Sequence, residues 1–158
     1  MNSEPQAPAL SPAYTELPPP FDPDPARNAF DFHIYYNAKD EAHARDLHTR
    51  ISREFPELRI YRFWDRAVGP HPIPMFEVNN SSSFVNPFCL PYAKVNTFTP
   101  HQTGALFCWL VANRGPCPVL IHPNTTKGAF LDHTAHATWM GTPLKLKTGM
   151  FDQPPAAA

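Results

Sequence analysis

Five histidines stand where a fold could gather them: His33, His71, His122, His133 and His136. His33 lies inside an aromatic run, Phe30 to Tyr36 (FDFHIYY). His71 follows a crowded turn carrying Trp64, Asp65, Arg66, Gly69 and Pro70. His122 closes the apolar run PVLIH, and His133 and His136 fall in DHTAHATWMG. Imidazole is the commonest protein ligand for transition metals, and two or three with one carboxylate suit a divalent iron or zinc ion. Iron with open coordination positions supports chemistry with O2. Glu77 offers the carboxylate, because it follows His71 by six residues and has the same side-chain parity on a strand. No HxH, HExxH or paired CxxC spacing occurs, so topology and not a local motif must assemble such a site. The competing role for any single strand histidine is packing. Trp64, Asp65 and Arg66 could bind a carboxylate-bearing aromatic substrate, with Arg66 paired to the carboxylate. Their competing role is a hairpin held by an Asp–Arg pair. None of the three cysteines, Cys89, Cys108 and Cys117, has a base nearby in sequence, which argues against a cysteine nucleophile.

The elements that would position these groups follow from pattern. Phe30 to Tyr36 reads as a strand, with Phe30, Phe32, Ile34 and Tyr36 on one face and Asp31, His33 and Tyr35 on the other. Ala38 to Phe55 reads as a helix: Ala44, Leu47, Ile51 and Phe55 keep helical spacing and Pro56 stops it. Two further strands are expected at Leu58 to Phe63 and at Pro74 to Asn79. A second helix starts at Thr99-Pro100, a cap followed by proline at the first helical position, and ends at Gly115-Pro116. Pro118 to His122 is the last strand. The order β-α-β-β-α-β predicts an α+β, ferredoxin-like fold: a four-stranded antiparallel sheet with two helices on one face. In that topology the first and third strands are central and the fourth flanks the first. His33 and His122 then sit on neighbouring strands, and His71 enters beside them. The other sheet face must be covered by the C-terminal segment, a second subunit or a ligand.

A chain of 158 residues is the size of one domain. A net charge of −1 gives no sign of a nucleic-acid or membrane partner. An odd cysteine count without CxxC spacing points to a reducing, cytoplasmic setting. No signal peptide or membrane-spanning run is visible. Prolines crowd residues 1–27, which read as a disordered arm, and residues 148–158 read as a tail. The domain is expected over 28–147.

Three stretches, RIYRFWDRAVGPHPIPMFEVN, WLVANRGPCPVLIHPNT and DHTAHATWMGTPLKL, resemble the DOPA 4,5-dioxygenase family of fungi and bacteria, as do FHIYY and FPELRIYRFWD. The resemblance covers roughly residues 29 to 147 and implies a ferredoxin-like fold, often dimeric. It also implies O2-dependent extradiol cleavage of L-DOPA or a related catechol at a non-haem Fe(II) site, with zinc as a possible substitute. The product would be of the seco-DOPA type, a precursor of betalain pigments. On this basis His33, His71 and His122 are the expected metal ligands, with Glu77 as the carboxylate alternative. His133, or whichever of the histidines does not ligate, is the expected acid–base group. Arg66 and Trp64 are the expected substrate contacts. The partners would be a catechol, O2 and a second copy of the chain. The competing function is a catalytically silent module of the same fold that binds a small ligand or a partner.

The chain departs from the family pattern in one place. FEVN at 76–79 would run directly into TFTPHQ, but residues 78–94 intervene. Val-Asn occurs at both ends, as Val78-Asn79 and Val95-Asn96. Val-Asn codons fit an intron donor, and a Lys94 codon fits an acceptor. Removing the seventeen residues 78–94 rejoins Glu77 to Val95 in frame. The segment therefore reads as an unspliced short intron, with a functional lid as the other reading.

Overall fold

The computed structural model describes residues 9–22, 24, 28–60, 63–77 and 95–151. Its hub is β1 (Phe30–Tyr35), which pairs antiparallel with β5 (Val119–Pro123) along one edge. Along the other edge it pairs with β3 (Met75–Glu77) and then β4 (Val95–Thr97). β2 (Arg59–Ile60) pairs with β4, and β6 (Thr138–Met140) extends the sheet beyond β5.

β3 and β4 occupy one strand position. Glu77 opposes His33 and Val95 opposes Phe32, so the residues flanking the insert face consecutive residues of β1. Residues 78–94 themselves lie outside the described residues. With β3 and β4 taken together, the sheet order is that of the expected ferredoxin-like fold, with β6 as an added edge strand.

Both long helices cover one face, as the apolar spacing requires. α1 (Glu41–Glu54) buries Ala44, Leu47 and Ile51, and an exposed Glu41–Arg45 pair braces its outer side at 2.7 Å. α2 (Pro100–Asn113) starts where the Thr99 hydroxyl accepts from the Gln102 N–H at 3.2 Å, and it buries Leu106 and Leu110. These side chains close on Phe32, Ile34, Tyr36, Phe76, Val119 and Ile121 to form the main core. After α2 the chain turns at Gly115, whose φ of 55° is open to glycine at little cost.

The opposite face is covered by the chain itself. Tyr35, Trp64, Met75 and Leu120 form a second cluster under Val68, Ile73, Trp139, Leu144 and Leu146. An uncovered sheet face is therefore no argument for the expected homodimer.

Two terminal expectations change. Residues 9–22, expected to belong to a disordered arm, lie along the domain. Pro12–Tyr14 form a 3-10 turn, Tyr14 approaches His101, and Phe21 bridges to Thr125 with its ring 5.2 Å from Phe30. Phe21 supplies the apolar anchor that the surrounding prolines lack. At the other end, Thr148–Met150 form a further 3-10 turn and Phe151 packs 5.0 Å from the His133 ring, so these residues are not a free tail. Residues 152–158, and 1–8, 23 and 25–27 of the arm, lie outside the described residues. Among the described residues no helix is long and apolar enough to cross a membrane.

Candidate metal centre

The alternation of β1 sends Asp31, His33 and Tyr35 away from the helices, and all three are buried. Antiparallel pairing sets His33 opposite Leu120 and Asp31 opposite His122, so the two histidines are diagonal neighbours on the same face. Their Nε2 atoms lie 3.0 Å apart. A third imidazole arrives from α3 (Ala129–His133), whose final residue stacks 3.8 Å from the His122 ring. One ligand atom from each of His33, His122 and His133 falls within 4.8 Å of the others.

The placement of α3 has a local cause. Asp132 is buried, and its carboxylate accepts from the Thr125 N–H at 2.9 Å and from the Thr125 hydroxyl at 2.6 Å. These bonds pin the short helix to the turn that follows β5. His136 adds a third bond to the same carboxylate, at 3.1 Å. His136 is thus a brace, and His133 is the residue that the brace delivers to the cluster.

The hydrogen bonds also select the tautomers. His122 Nδ1 lies 2.9 Å from the Pro123 carbonyl and His133 Nδ1 lies 2.9 Å from the Ala129 carbonyl. A carbonyl only accepts, so each Nδ1 carries the proton and each Nε2 of the neutral ring presents a lone pair. Backbone carbonyls behind metal-binding imidazoles act in this way. The 3.0 Å separation of His33 and His122 also fits two neighbouring ligands at about 2.1 Å from one cation, at an angle of about 90°. Asp31 adds negative charge: its Oδ2 lies 3.6 Å from His122 Nε2, and its Oδ1 accepts from Asn28 at 2.5 Å. A buried carboxylate beside neutral imidazoles favours a divalent cation over an empty site. The residues present therefore fit a metal ion.

The expected ligand set differs from this arrangement in one member. His71 is buried and its ring lies 4.1 Å from that of His33, but the three converging imidazoles are His33, His122 and His133. The Tyr35 hydroxyl holds His71 Nδ1 at 2.6 Å, which draws the ring along β1 beyond His33. His133, expected as the acid–base group, occupies the third corner because Asp132 carries it there. Glu77, the expected carboxylate alternative, has its backbone opposite His33. Asp31 is the carboxylate that sequence reasoning missed, although it shares side-chain parity with His33 on FDFHIYY.

Trp64 is 4 % exposed and packs into the second cluster as a core residue. Arg66 is exposed, with its guanidinium 5.8 Å from the centre of the Trp64 ring. Among the described residues no contact joins Arg66 to the imidazoles. On the His133 side of the cluster a cavity of about 270 Å³ opens, bounded by His133, Asp132, Thr125, Asn124, Asn28 and Asp22. A larger depression of about 490 Å³, where the arm crosses α2, contains His101 but no carboxylate and cannot assemble such a centre.

Comparison with known proteins places this arrangement in a family. The sequence profile of the Dopa 4,5-dioxygenase family matches residues 30–88 and 80–150, which contain all four imidazoles. The chain belongs to the Dopa 4,5-dioxygenase family. The two matched segments overlap over residues 80–88. An uncharacterised 21.2 kDa protein of Botryotinia fuckeliana is 46% identical over 90% of the chain and 73% of its own length. DOPA 4,5-dioxygenase of Amanita muscaria is 27% identical over 70% of the chain and 43% of its own length. A crystal structure of a candidate dioxygenase from Nostoc punctiforme superposes with a TM-score of 0.62 at 27% identity, covering 78% of this chain and 90% of that one. Membership sets the functional class as a dioxygenase of the DOPA-dioxygenase type.

Proposed function

We propose that the chain is an extradiol, ring-opening dioxygenase acting on L-DOPA or a related catechol at a non-haem Fe(II) centre. The observation that carries the reading is the convergence of three imidazoles, two with Nδ1–H fixed by backbone carbonyls, beside the buried Asp31. His33, His122 and His133 would hold the metal. Iron so held would supply Lewis acidity toward the catechol oxygens and a route for electrons from the ring to O2. In the overall reaction the ring C–C bond beside the diol breaks. The ring gives four electrons to O2, and both oxygen atoms enter an aldehyde and a carboxylate.

The remaining residues handle protons and exclude water. The Tyr35–His71 pair at 2.6 Å can carry its shared proton on either atom, because a phenol both donates and accepts. When Tyr35 donates to Nδ1, a neutral His71 keeps its proton on Nε2 and presents it as a hydrogen-bond donor. In the opposite arrangement Nε2 is a base. His71 thus suits removal of a catechol proton and its later return. The cover of Trp139, Leu144 and Leu146 shields Tyr35 from solvent. The test is O2 uptake by anaerobically iron-loaded protein on addition of L-DOPA. Uptake matching substrate loss, with a yellow product, supports the reading. Iron binding without catechol-dependent uptake contradicts it and favours a silent binding module.

A further inference from the structure

The cavity beside His133 has a chemistry that an aromatic ring alone does not need. Beside Thr125, Gly128, Ala129 and His133, its lining includes two amides and two carboxylates: Asn124, Asn28, Asp22 and Asp132. Asp132 spends both oxygens on Thr125 and His136, so it shapes the loop. Asn124 differs. Its backbone is fixed, with its N–H donating to the Ala29 carbonyl at 2.8 Å and its carbonyl accepting from the Asp22 N–H at 3.2 Å. Its side-chain Nδ2 is buried and has no partner among the described residues. A buried donor without an acceptor is costly, which marks it as a position for a ligand oxygen. Asp22 is brought to the same cavity by the N-terminal arm, where Phe21 bridges to Thr125 and Thr126 donates to the Pro20 carbonyl at 3.0 Å. The cavity therefore holds an amide donor and, beside the imidazole cluster, the Asp22 carboxylate, whose Oδ1 also accepts from the Asp24 N–H at 3.0 Å.

We propose that this cavity is the subsite for the α-amino-acid head of the substrate, with Asn124 Nδ2 donating to its carboxylate and Asp22 facing its ammonium group. The proposal rests on the dioxygenase reading for the position of the catechol ring, and it makes Asn124 and Asp22 specificity-determining residues. It also gives the arm a role: residues 20–22 form a wall of the substrate site. A catechol without the head would leave the Asn124 amide unsatisfied. The pocket would then discriminate by hydrogen bonding, which separates substrates more sharply than apolar contact does.

The test uses the iron-loaded full chain with four catechols: L-DOPA, dopamine, 3-(3,4-dihydroxyphenyl)propionate and 4-methylcatechol. The wild-type protein should favour L-DOPA over 4-methylcatechol in kcat/KM by about tenfold or more, the scale of charge-assisted hydrogen bonds. Asn124→Leu should remove the advantage conferred by the carboxylate, and Asp22→Asn that conferred by the amine. Both variants are first checked for wild-type thermal unfolding. Equal use of all four catechols by the wild-type protein, or unchanged ratios in both variants, overturns the subsite and leaves the dioxygenase reading intact. L-phenylalanine, which has the head and no catechol, provides a readout independent of turnover. Ligand-observed NMR should detect its binding to the wild-type protein and its loss in Asn124→Leu. Wild-type binding that persists in the variant, or no binding at all, overturns the subsite even if no catechol is cleaved.

Discussion

Replacing His133 and His71 separately tests which imidazoles form the metal centre. His133 offers Nε2 to the cluster and lies within the 4.8 Å group, to which His71 does not belong. Structural zinc sites with four ligands bind with about 10–16 kcal/mol, or about 3 kcal/mol per ligand. Losing one ligand should therefore weaken metal binding by about 100-fold or more. A residue behind the ligands costs less, and His71→Ala should lose about tenfold at most, since its ring stands beside His33 and outside the 4.8 Å group. The assay is anaerobic competition for Fe(II) against a chromophoric chelator, repeated with Zn(II), on protein whose circular dichroism matches wild type. Metal-induced stabilisation gives a second readout, because a ligand at 100 times its Kd raises stability by about 2.7 kcal/mol. His133→Ala should lose most of that gain and His71→Ala should keep it. Wild-type affinity in His133→Ala, with a hundredfold loss in His71→Ala, would refute the assignment and restore the set His33, His71 and His122.

Three further outcomes follow from the fold. Residues 78–94 read in the sequence as foreign to the domain. Deleting them should give a folded protein stabilised by about 2 kcal/mol, the closure entropy of a loop of that length, as read by urea denaturation. Failure of the deletion to fold, or a mature transcript that retains these codons, would sink the intron reading. Leu47→Ala should cost about 2–5 kcal/mol, because Leu47 is buried in the main core, and a fall in Tm without loss of metal affinity is the expected pattern. Burial, and next the Asp40 carboxylate, push the Cys117 thiol up from 9.0 to about 11, against a weaker pull from Arg114. The folded state keeps this proton after the unfolded chain has lost it, so stability should fall as pH rises from 9.0 to about 11. Urea midpoints across that window should decline less in Cys117→Ala than in wild type, and parallel declines would show that Cys117 is not the cause.

Much of the fold was legible because it rests on periodicity. FDFHIYY alternates, α1 places Ala44, Leu47 and Ile51 on one stripe, and Thr99-Pro100 and Gly115 punctuate α2. The pairing of the first strand with the fourth, and hence the meeting of His33 and His122, followed from topology. The third imidazole did not. His133 owes its place to the buried Asp132 carboxylate and its bonds to Thr125, and no sequence period announces such a tertiary bond. His71 stands beside His33, with ring centres 4.1 Å apart, but is not one of the three imidazoles of the 4.8 Å group. Asp31 shares the side-chain parity of His33 on FDFHIYY, so its place on the same face is legible in the sequence. Trp64 drew attention as a possible substrate contact, yet the sheet face needed an apolar cover and the indole provides part of it.

The central claim is that this centre inserts O2 into a catechol, and isotope labelling tests it most directly. Iron-loaded protein is given L-DOPA under 18O2, and the product is analysed by mass spectrometry. The expected product is ring-opened and heavier than the substrate by one O2, with label retained in the new carboxylate. Substrate oxidation without incorporated label would contradict it.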